Sequence, residues 1–186
     1  MRRMQGKSIR LFCCAALLCA LLVVSTLLLR FPLPGTDVLF TTQLVFVLLS
    51  GLVLPFPYDL YGVLGYLALG LIGLPVFSSV SGPAVVATPS FGFLMGFPCA
   101  VLIAGVIRRI LQKKKSCDLF AALAGTLAMY VVALGYIAFL NGLWLRTPMG
   151  IKELLTVYCA GFLPLDVVKA VMAAMIAPRL RKAIRL

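Results

Sequence analysis

Two oppositely charged residues, Asp166 and Lys169, lie within an apolar stretch that is otherwise uncharged from residue 154 to residue 177. On a helix, residues three positions apart share one face, so the carboxylate and the ammonium group can meet. Each charge would cost about 2.5–3.5 kcal/mol at the centre of a bilayer, and we therefore expect both to face the protein interior. The pair has two interpretations: an ion pair that fixes the rotation of the helix, or a polar ligand site. In a ligand site, Asp166 would accept N–H bonds and Lys169 would donate to a carbonyl or carboxylate oxygen.

The surroundings of this pair favour a ligand site. A buried ion pair is often no more stable than the apolar packing that could replace it, so stability alone is a weak reason to keep one. Residues 161–164, Gly-Phe-Leu-Pro, precede the pair. A proline leaves a carbonyl unbonded one turn upstream, which is tolerated where a helix lines a cavity. Gln43, which follows Thr41 and Thr42, is a second polar group that we expect to point inward.

Several enzyme and metal-site chemistries are excluded by the composition of the chain. It contains no histidine, so His-dependent proteolysis, His-ligated metals and haem are not expected. It has no P-loop motif for binding ATP. Its six cysteines form no C-x-x-C pair, which predicts apolar packing instead of metal or disulfide roles. We therefore predict a protein that is not an enzyme, with no catalytic residue, metal or cofactor.

The elements that position these residues are predicted to be membrane-spanning helices. Mean hydropathy is +1.13, and 63% of the residues are hydrophobic against 12% charged. A soluble domain of this length needs a more charged surface, whereas each spanning helix needs roughly 20 apolar residues. By that measure the chain, residues 1–186, is a single all-α integral membrane domain with six transmembrane helices. The predicted spans are residues 11–29, 38–56, 60–77, 91–107, 119–145 and 154–177.

The distribution of lysine and arginine predicts the orientation of these helices. With six spans, both termini share a side with the second and fourth connections, and most of the 17 basic residues lie on that side. Cytoplasmic loops retain Lys and Arg, so we predict that both termini are cytoplasmic. The formal charge of +12 does not indicate a nucleic-acid partner, because the basic residues flank apolar spans and form no stripe along a folded face. Attraction to anionic lipid is a sufficient account of that charge.

Two further patterns concern a loop and the contacts between helices. The connection at 78–90 is rich in serine and carries no charge, which is typical either of a lid over an outward-facing pocket or of an ordinary flexible connection. Small residues recur four apart at Ala16 and Ala20, along residues 92–104 and at residues 121–125. In lipid such stripes mark close helix–helix contacts. We expect most of them to be internal, and the pattern does not say which stripe faces a partner.

The chain resembles a known family over about residues 31–177. The resemblance is carried by Thr-Thr-Gln at 41–43, Gly-Leu-Pro-Val-Phe at 73–77, Gly-Phe-Leu-Met-Gly-Phe at 92–97 and Gly-Phe-Leu-Pro-Leu-Asp-Val-Val-Lys at 161–169. These segments look like BioY, the biotin-binding S component of energy-coupling-factor (ECF) transporters. The Leu-Pro-Val-Phe and Phe-x-Pro-x-Asp-x-x-Lys elements are fairly specific in combination.

The resemblance implies a fold, a function and partners. The fold would be a six-helix bundle of the ECF S-component type, with a biotin pocket near the outer surface and the first and third connections, residues 30–37 and 78–90, as its lids. The function would be capture of biotin for ATP-driven vitamin uptake across the plasma membrane. The partners would be a transmembrane coupling protein and two ATPase subunits. Ala16 and Ala20 match in form the small residues of the first helix on which the coupling protein would dock.

The resemblance also implies contacts with the ligand. Asp166 would accept an N–H group of the ureido ring, and Lys169 would meet either the ureido carbonyl or the carboxylate of the tail, a choice that the sequence leaves open. Phe77 and Phe93 would pack on the fused ring and the tail. The remaining expected substrate-binding residues supply amide, hydroxyl or backbone groups, and they are Gln43, Ser79, Ser81, Gly82 and Thr88.

One segment departs from the family pattern. Members usually end the third connection with Gly-Pro-Thr-Gly-Gly-Tyr, whereas residues 88–93 are Thr-Pro-Ser-Phe-Gly-Phe. The lid therefore lacks two glycines and a tyrosine hydroxyl. Two alternative functions stay open: an S component for a different vitamin, and a small secondary transporter that uses Asp166 and Lys169 as a proton relay. A single intramembrane carboxylate and the absence of a visible inverted repeat in the sequence make the second alternative the weaker.

Overall fold

The structure of the protein is a computed structural model that describes residues 2–28, 30–32, 39–111, 116–144 and 150–184, and this part of the chain is a bundle of helices. The α-helices are α1 (Arg2–Leu28), α2 (Gln43–Val53), α3 (Tyr58–Ile72), α4 (Pro89–Ile110), α5 (Cys117–Phe139), α6 (Ile151–Leu155) and α7 (Leu163–Ile184). Shorter helical segments are a 3-10 helix at Pro83–Ala87 and π-helical turns at Leu140–Trp144 and Thr156–Ala160. Two three-residue strands, β1 (Arg30–Pro32) and β2 (Leu39–Thr41), pair antiparallel before α2.

The lengths and composition of the helices suit a membrane. Three segments of the described residues are long and apolar enough to cross one alone: Ser8–Leu28, Pro89–Ile110 and Cys117–Gly142. A fourth candidate is bent by 47° at a short break, between Lys152–Ala160 and Leu163–Ile184. The shorter helices α2 and α3 are also apolar. This architecture confirms the predicted all-helical membrane bundle and is consistent with six spans.

The second and third helices are shorter than the predicted spans 38–56 and 60–77, for local reasons. Residues 39–41 form strand β2, a small exception to the helical prediction, so α2 starts at Gln43. At the other end of α2, Leu54 precedes a proline and is extended, as proline requires of the residue before it. Helix α3 stops where Gly73 adopts a left-handed conformation with φ of 108°, a common C-terminal cap.

Glycines allow α4 and α5 to approach to backbone contact. A Cβ atom on Gly96 would lie 2.8 Å from the carbonyl oxygen of Met129, and one on Gly125 would lie 2.7 Å from that of Ala100. Real Cβ atoms do not come so close to a carbonyl, so a side chain at either position would separate the helices. The stripe along residues 92–104 therefore packs inside the bundle, where small residues permit the close approach on which helix association in lipid depends.

Charged side chains join the helices at one end of the bundle. Arg181 of α7 donates two hydrogen bonds to the carboxylate of Asp118 in α5, at 2.9 and 2.6 Å, and a third to the Leu52 carbonyl of α2 at 2.8 Å. Arg109 of α4 lies 3.4 Å from Asp59 of α3. Bidentate arginine–carboxylate bonds have a defined geometry, so these contacts fix the ends of α2, α5 and α7 relative to one another.

Candidate binding site

A small cavity of about 50 Å³ lies between α2, α4, α5 and α7, at the end of the bundle opposite the charged contacts. The wall is mostly apolar, with a few polar groups that could orient a ligand. The lining residues are Thr41, Leu44, Phe93, Phe97, Met129, Phe162, Asp166 and Lys169.

The break before α7 brings the charged pair to this cavity. Pro164 lies in the first turn of α7, where the N–H that proline lacks has no helical partner in any case. The amide of Asp166 donates to the carbonyl of Phe162 at 2.9 Å and so starts the helical hydrogen bonding. Asp166 is thus placed in the first turn, where the helix dipole stabilises a negative charge.

The carboxylate of Asp166 is held by two donors from two helices. Lys169 Nζ donates to Oδ1 at 2.6 Å, and the hydroxyl of Tyr130 on α5 donates to Oδ2 at 2.7 Å. Asp166, Lys169 and Tyr130 are 5%, 6% and 3% exposed, so water provides little of their solvation. A buried charge needs such partners, and the predicted pairing of Asp166 with Lys169 is present in the structure.

The contribution of Tyr130 could not be read from spacing. It lies on a different helix from Asp166, and its position in the middle of the apolar helix α5 gave only a weak signal. Buried tyrosine hydroxyls usually have a hydrogen-bond partner. A tyrosine within a membrane span is therefore evidence that some acceptor faces it, although it does not identify that acceptor.

Aromatic rings form the wall beside the charged pair. The ring of Phe93 meets that of Tyr130 edge to face, with centroids 5.7 Å apart and planes at 88°. Phe93 also lies 6.4 Å from the ring of Phe162, which starts the approach to α7. The cavity thus places an aromatic surface next to a carboxylate and an ammonium group, an arrangement suited to a ligand with a flat apolar part and a polar head.

Gln43 is buried behind this wall. Its side-chain carbonyl accepts a hydrogen bond from the Thr41 hydroxyl at 2.9 Å, and its amide donates to the hydroxyl of Tyr66. Tyr66 in turn donates to the carbonyl of Val76 at 3.0 Å. The structure therefore connects Gln43 to the third helix and to the loop after it, whereas Thr41 and Leu44 of the same segment line the cavity.

Phe77 packs at the end of α3, outside the lining of the cavity. Its ring lies 5.3 Å from that of Tyr66 and directly over Gly70, where a Cβ atom would overlap it. Its backbone N–H donates to the hydroxyl of Ser81 at 3.3 Å. Gly82, with φ of 85°, donates its N–H to the carbonyl of Gly70 at 2.7 Å. These contacts anchor the first half of the third connection to α3.

The second half of the third connection is anchored to α4 and α5. Thr88 donates from its hydroxyl to the carbonyl of Val85 at 2.7 Å and closes the 3-10 helix. The hydroxyl of Tyr136, on α5, donates to the carbonyl of Val86.

Ser79 is exposed. Of the expected substrate-binding residues, Asp166, Lys169 and Phe93 meet at the cavity, whereas Gln43, Phe77, Ser79, Ser81, Gly82 and Thr88 are not part of its lining.

The first connection is described only at its two ends. Strands β1 and β2 pair Arg30 with Thr41, so the ends of the connection meet beside a cavity-lining residue. Residues 33–38, which carry most of the predicted first lid, lie outside the described residues.

Helix α1 presents two different rows of small residues. Ala15 is buried against α3, where a Cβ atom on Gly62 would lie 2.7 Å from the Ala15 carbonyl oxygen. Ala16 and Ala20 are exposed, so that row is not used for packing within the described bundle.

Comparison with known proteins connects these features to a family. The model of the BioY family matches residues 1–186. A "Biotin transporter BioY" of Thermotoga maritima is 37% identical over 170 residues, which cover 90% of this chain and 94% of that protein. A "Probable biotin transporter BioY" of Lysinibacillus sphaericus is 33% identical over 157 residues, covering 84% and 79%.

A solved structure shares the fold. The crystal structure of the S-component for biotin from an ECF-type ABC transporter superposes with a TM-score of 0.81 over 95% of this chain and 93% of that one, at 23% identity. The match confirms the S-component type of bundle that the sequence resemblance implied. Together with the family model and the curated relatives, it leads to one conclusion: this chain belongs to the BioY family.

Proposed function

We propose that this protein is the biotin-capturing S component of an ECF transporter. The observation that carries the proposal is the buried group of Tyr130, Asp166 and Lys169 at an otherwise apolar and aromatic cavity. Membership of a family whose named relatives transport biotin supports the choice of ligand.

The chemistry of biotin suits this cavity. Its ureido ring offers N–H donors beside a carbonyl acceptor, and the neighbouring Asp166 and Lys169 offer an acceptor beside a donor. Asp166 accepts a ureido N–H, and Lys169 donates to the ureido carbonyl or to the carboxylate of the tail. The rings of Phe93 and Phe162 pack against the apolar fused ring. Gln43 acts indirectly, because its hydrogen bond with Thr41 holds a lining residue in place. The third connection, whose Gly82 is bonded to Gly70 of α3, acts as a lid.

Transport follows from capture combined with an external source of energy. The termini and the charged end of the bundle face the cytoplasm, which puts the cavity on the outer side of the plasma membrane. A transmembrane coupling protein, driven by two ATPase subunits, docks on α1 at Ala16 and Ala20, both of which are exposed. Close approach of helices at small residues is the physical basis of such docking in lipid.

Mass spectrometry of the purified protein tests the ligand. Protein extracted from cells grown with biotin should carry about one biotin per chain, and Asp166→Asn should carry none while still eluting as a single species by size exclusion. Removing one partner of a buried charged hydrogen bond leaves the other unsatisfied, and this accounts for the expected loss of affinity. Glu153→Gln makes the same chemical change at an exposed site on α6 and should retain biotin.

The result also discriminates among ligands. If the wild-type protein is empty and does not bind added biotin, the biotin assignment is wrong, and direct binding of thiamin or riboflavin would then identify an S component for another vitamin.

A further inference from the structure

We propose that Tyr130 is a positioning residue that fixes Asp166 as a hydrogen-bond acceptor and thereby makes an N–H donor a requirement for the ligand. The inference deepens the proposed function and rests on it for the identity of the ligand, biotin. It is carried by the contact between two helices, α5 and α7, at the carboxylate of Asp166.

The two donors to Asp166 leave it able to accept more. Tyr130 occupies a site on Oδ2 and Lys169 a site on Oδ1. An ionised carboxylate has about four acceptor sites, two on each oxygen. Each oxygen thus retains acceptor capacity after both contacts are made. A further donor that arrives from the cavity can bond to that remaining capacity. A ligand that presents an N–H group completes the hydrogen bonding of Asp166.

Tyr130 is itself held firmly and is not part of the cavity lining. It is 3% exposed, and its ring is fixed edge to face against Phe93 of α4. The preceding residue, Met129, is in backbone contact with α4 at Gly96. The phenol therefore belongs to the rigid α4–α5 pair, and its bond to Asp166 sets the carboxylate of α7 against that pair.

Lys169 alone cannot provide the same restraint. It lies on the same helix as Asp166, so its bond does not fix that helix relative to α5. Loss of the Tyr130 hydroxyl would leave Oδ2 buried without its donor. The carboxylate could then rotate until another group donates to that oxygen. Unpaired buried polar groups are the main source of strong discrimination between such ligands. If the carboxylate can rotate away, a ligand lacking the N–H leaves no acceptor unpaired, and its affinity is not reduced.

Binding of biotin and of modified biotins to Tyr130→Phe tests this role. Affinities for biotin, for dethiobiotin and for two biotins methylated at one or the other ureido nitrogen would be measured by competition against radiolabelled biotin. We expect Tyr130→Phe to bind biotin and dethiobiotin about 10–100 times more weakly than wild type, the range for a hydrogen bond to a charged group. Affinity for the analogue methylated at the nitrogen facing Asp166 should change by less than about threefold, so selectivity for the N–H falls.

Two further variants separate positioning from general damage. Tyr130→4-aminophenylalanine keeps a donor at the same place on the ring and should regain wild-type selectivity. Tyr61→Phe makes the same deletion on α3, where the side chain is 44% exposed, and should change no affinity.

The outcomes distinguish the two proposals. If wild-type protein binds biotin and Tyr130→Phe loses affinity equally for all four ligands, or keeps its full selectivity, the positioning role of Tyr130 is wrong while the biotin function stands. If wild-type protein binds no biotin at all, the proposed function fails, and the N–H requirement fails with it.

Discussion

At the scale of single residues, Asp166 and Lys169 are tolerated in the bundle because each neutralises the other. Their 2.6 Å contact is almost fully buried, with both side chains less than a tenth exposed. Removal of one partner from such a pair typically costs about 3–5 kcal/mol, because an uncompensated charge remains, whereas replacement of both by apolar or neutral groups is often harmless. Stability therefore requires that both charges be kept or both be removed, whereas the proposed ligand binding requires that both be kept. Mutation can separate these two requirements.

Neutralising the pair one residue at a time and then together should separate those demands. We expect Asp166→Asn and Lys169→Met each to lower the melting temperature in detergent, and the double variant to recover most of the loss. None of the three should bind biotin, because the polar head of the ligand has lost its partners. Melting curves and biotin binding would be measured on the same preparations. A double variant that melts below both single variants would contradict this account of the pair.

The charged pair was predictable, and its third member was not. Asp166 and Lys169 were evident because a charge within a membrane span is costly and their spacing places them on one helical face. Tyr130 depends on the way in which α5 faces α7, which no local pattern encodes. The same limit applies to Phe77: the sequence gives its apolar character, but its contact with Tyr66 follows from how the third connection folds back on α3.

At the scale of helices, the site depends on how closely α4 and α5 approach. Gly96 and Gly125 each put a helix surface in contact with a carbonyl oxygen of the other helix. Met129 and Phe93, which line the cavity, are carried by these two helices. A small change in the distance between the helices would therefore alter both stability and the shape of the cavity.

Two alanine substitutions in α5 measure this dependence. Gly125→Ala places a Cβ atom 2.7 Å from the carbonyl oxygen of Ala100, an overlap that typically costs about 1–3 kcal/mol. Gly135→Ala is the matched control, since nothing lies within 4 Å of its Cβ position, and alanine favours a helix by up to about 1 kcal/mol over glycine. We expect the first variant to melt at a lower temperature than wild type and the second at an equal or higher one. Equal melting temperatures for the two variants would show that the contact is not tight.

The helices themselves were predictable to different degrees. Apolar length predicted the long helices α4 and α5 well, because a membrane span must be helical and of a certain length. The ends of α2 and α3 were less predictable, because hydropathy does not register the short strand β2 or the left-handed cap at Gly73. The Gly-Phe-Leu-Pro segment at 161–164 was the only sequence signal for the 47° break before α7.

At the scale of the whole molecule, the two ends of the bundle differ in composition, and the proposed function gives them different tasks. One end holds the cavity, and the other is joined by contacts such as that between Arg181 and Asp118. The exposed row of Ala16 and Ala20 runs along α1, a helix that contributes no residue to the cavity lining. In the proposed function, capture of the ligand and coupling to a partner use separate surfaces, so a variant should remove one without the other.

Enlarging the exposed row of α1 should abolish uptake and leave binding intact. The variants are Ala16→Trp and Ala20→Trp, whose large side chains would prevent the close approach on which helix docking in lipid depends. Ala138→Trp makes the same change at an exposed position of α5 and serves as the control. We expect ATP-dependent uptake of radiolabelled biotin, in cells that also produce the coupling protein and ATPases, to be lost in the two α1 variants and kept in the control. All three purified proteins should bind biotin as wild type does, because the cavity is unchanged. Full uptake by both α1 variants would place the docking surface elsewhere on the bundle.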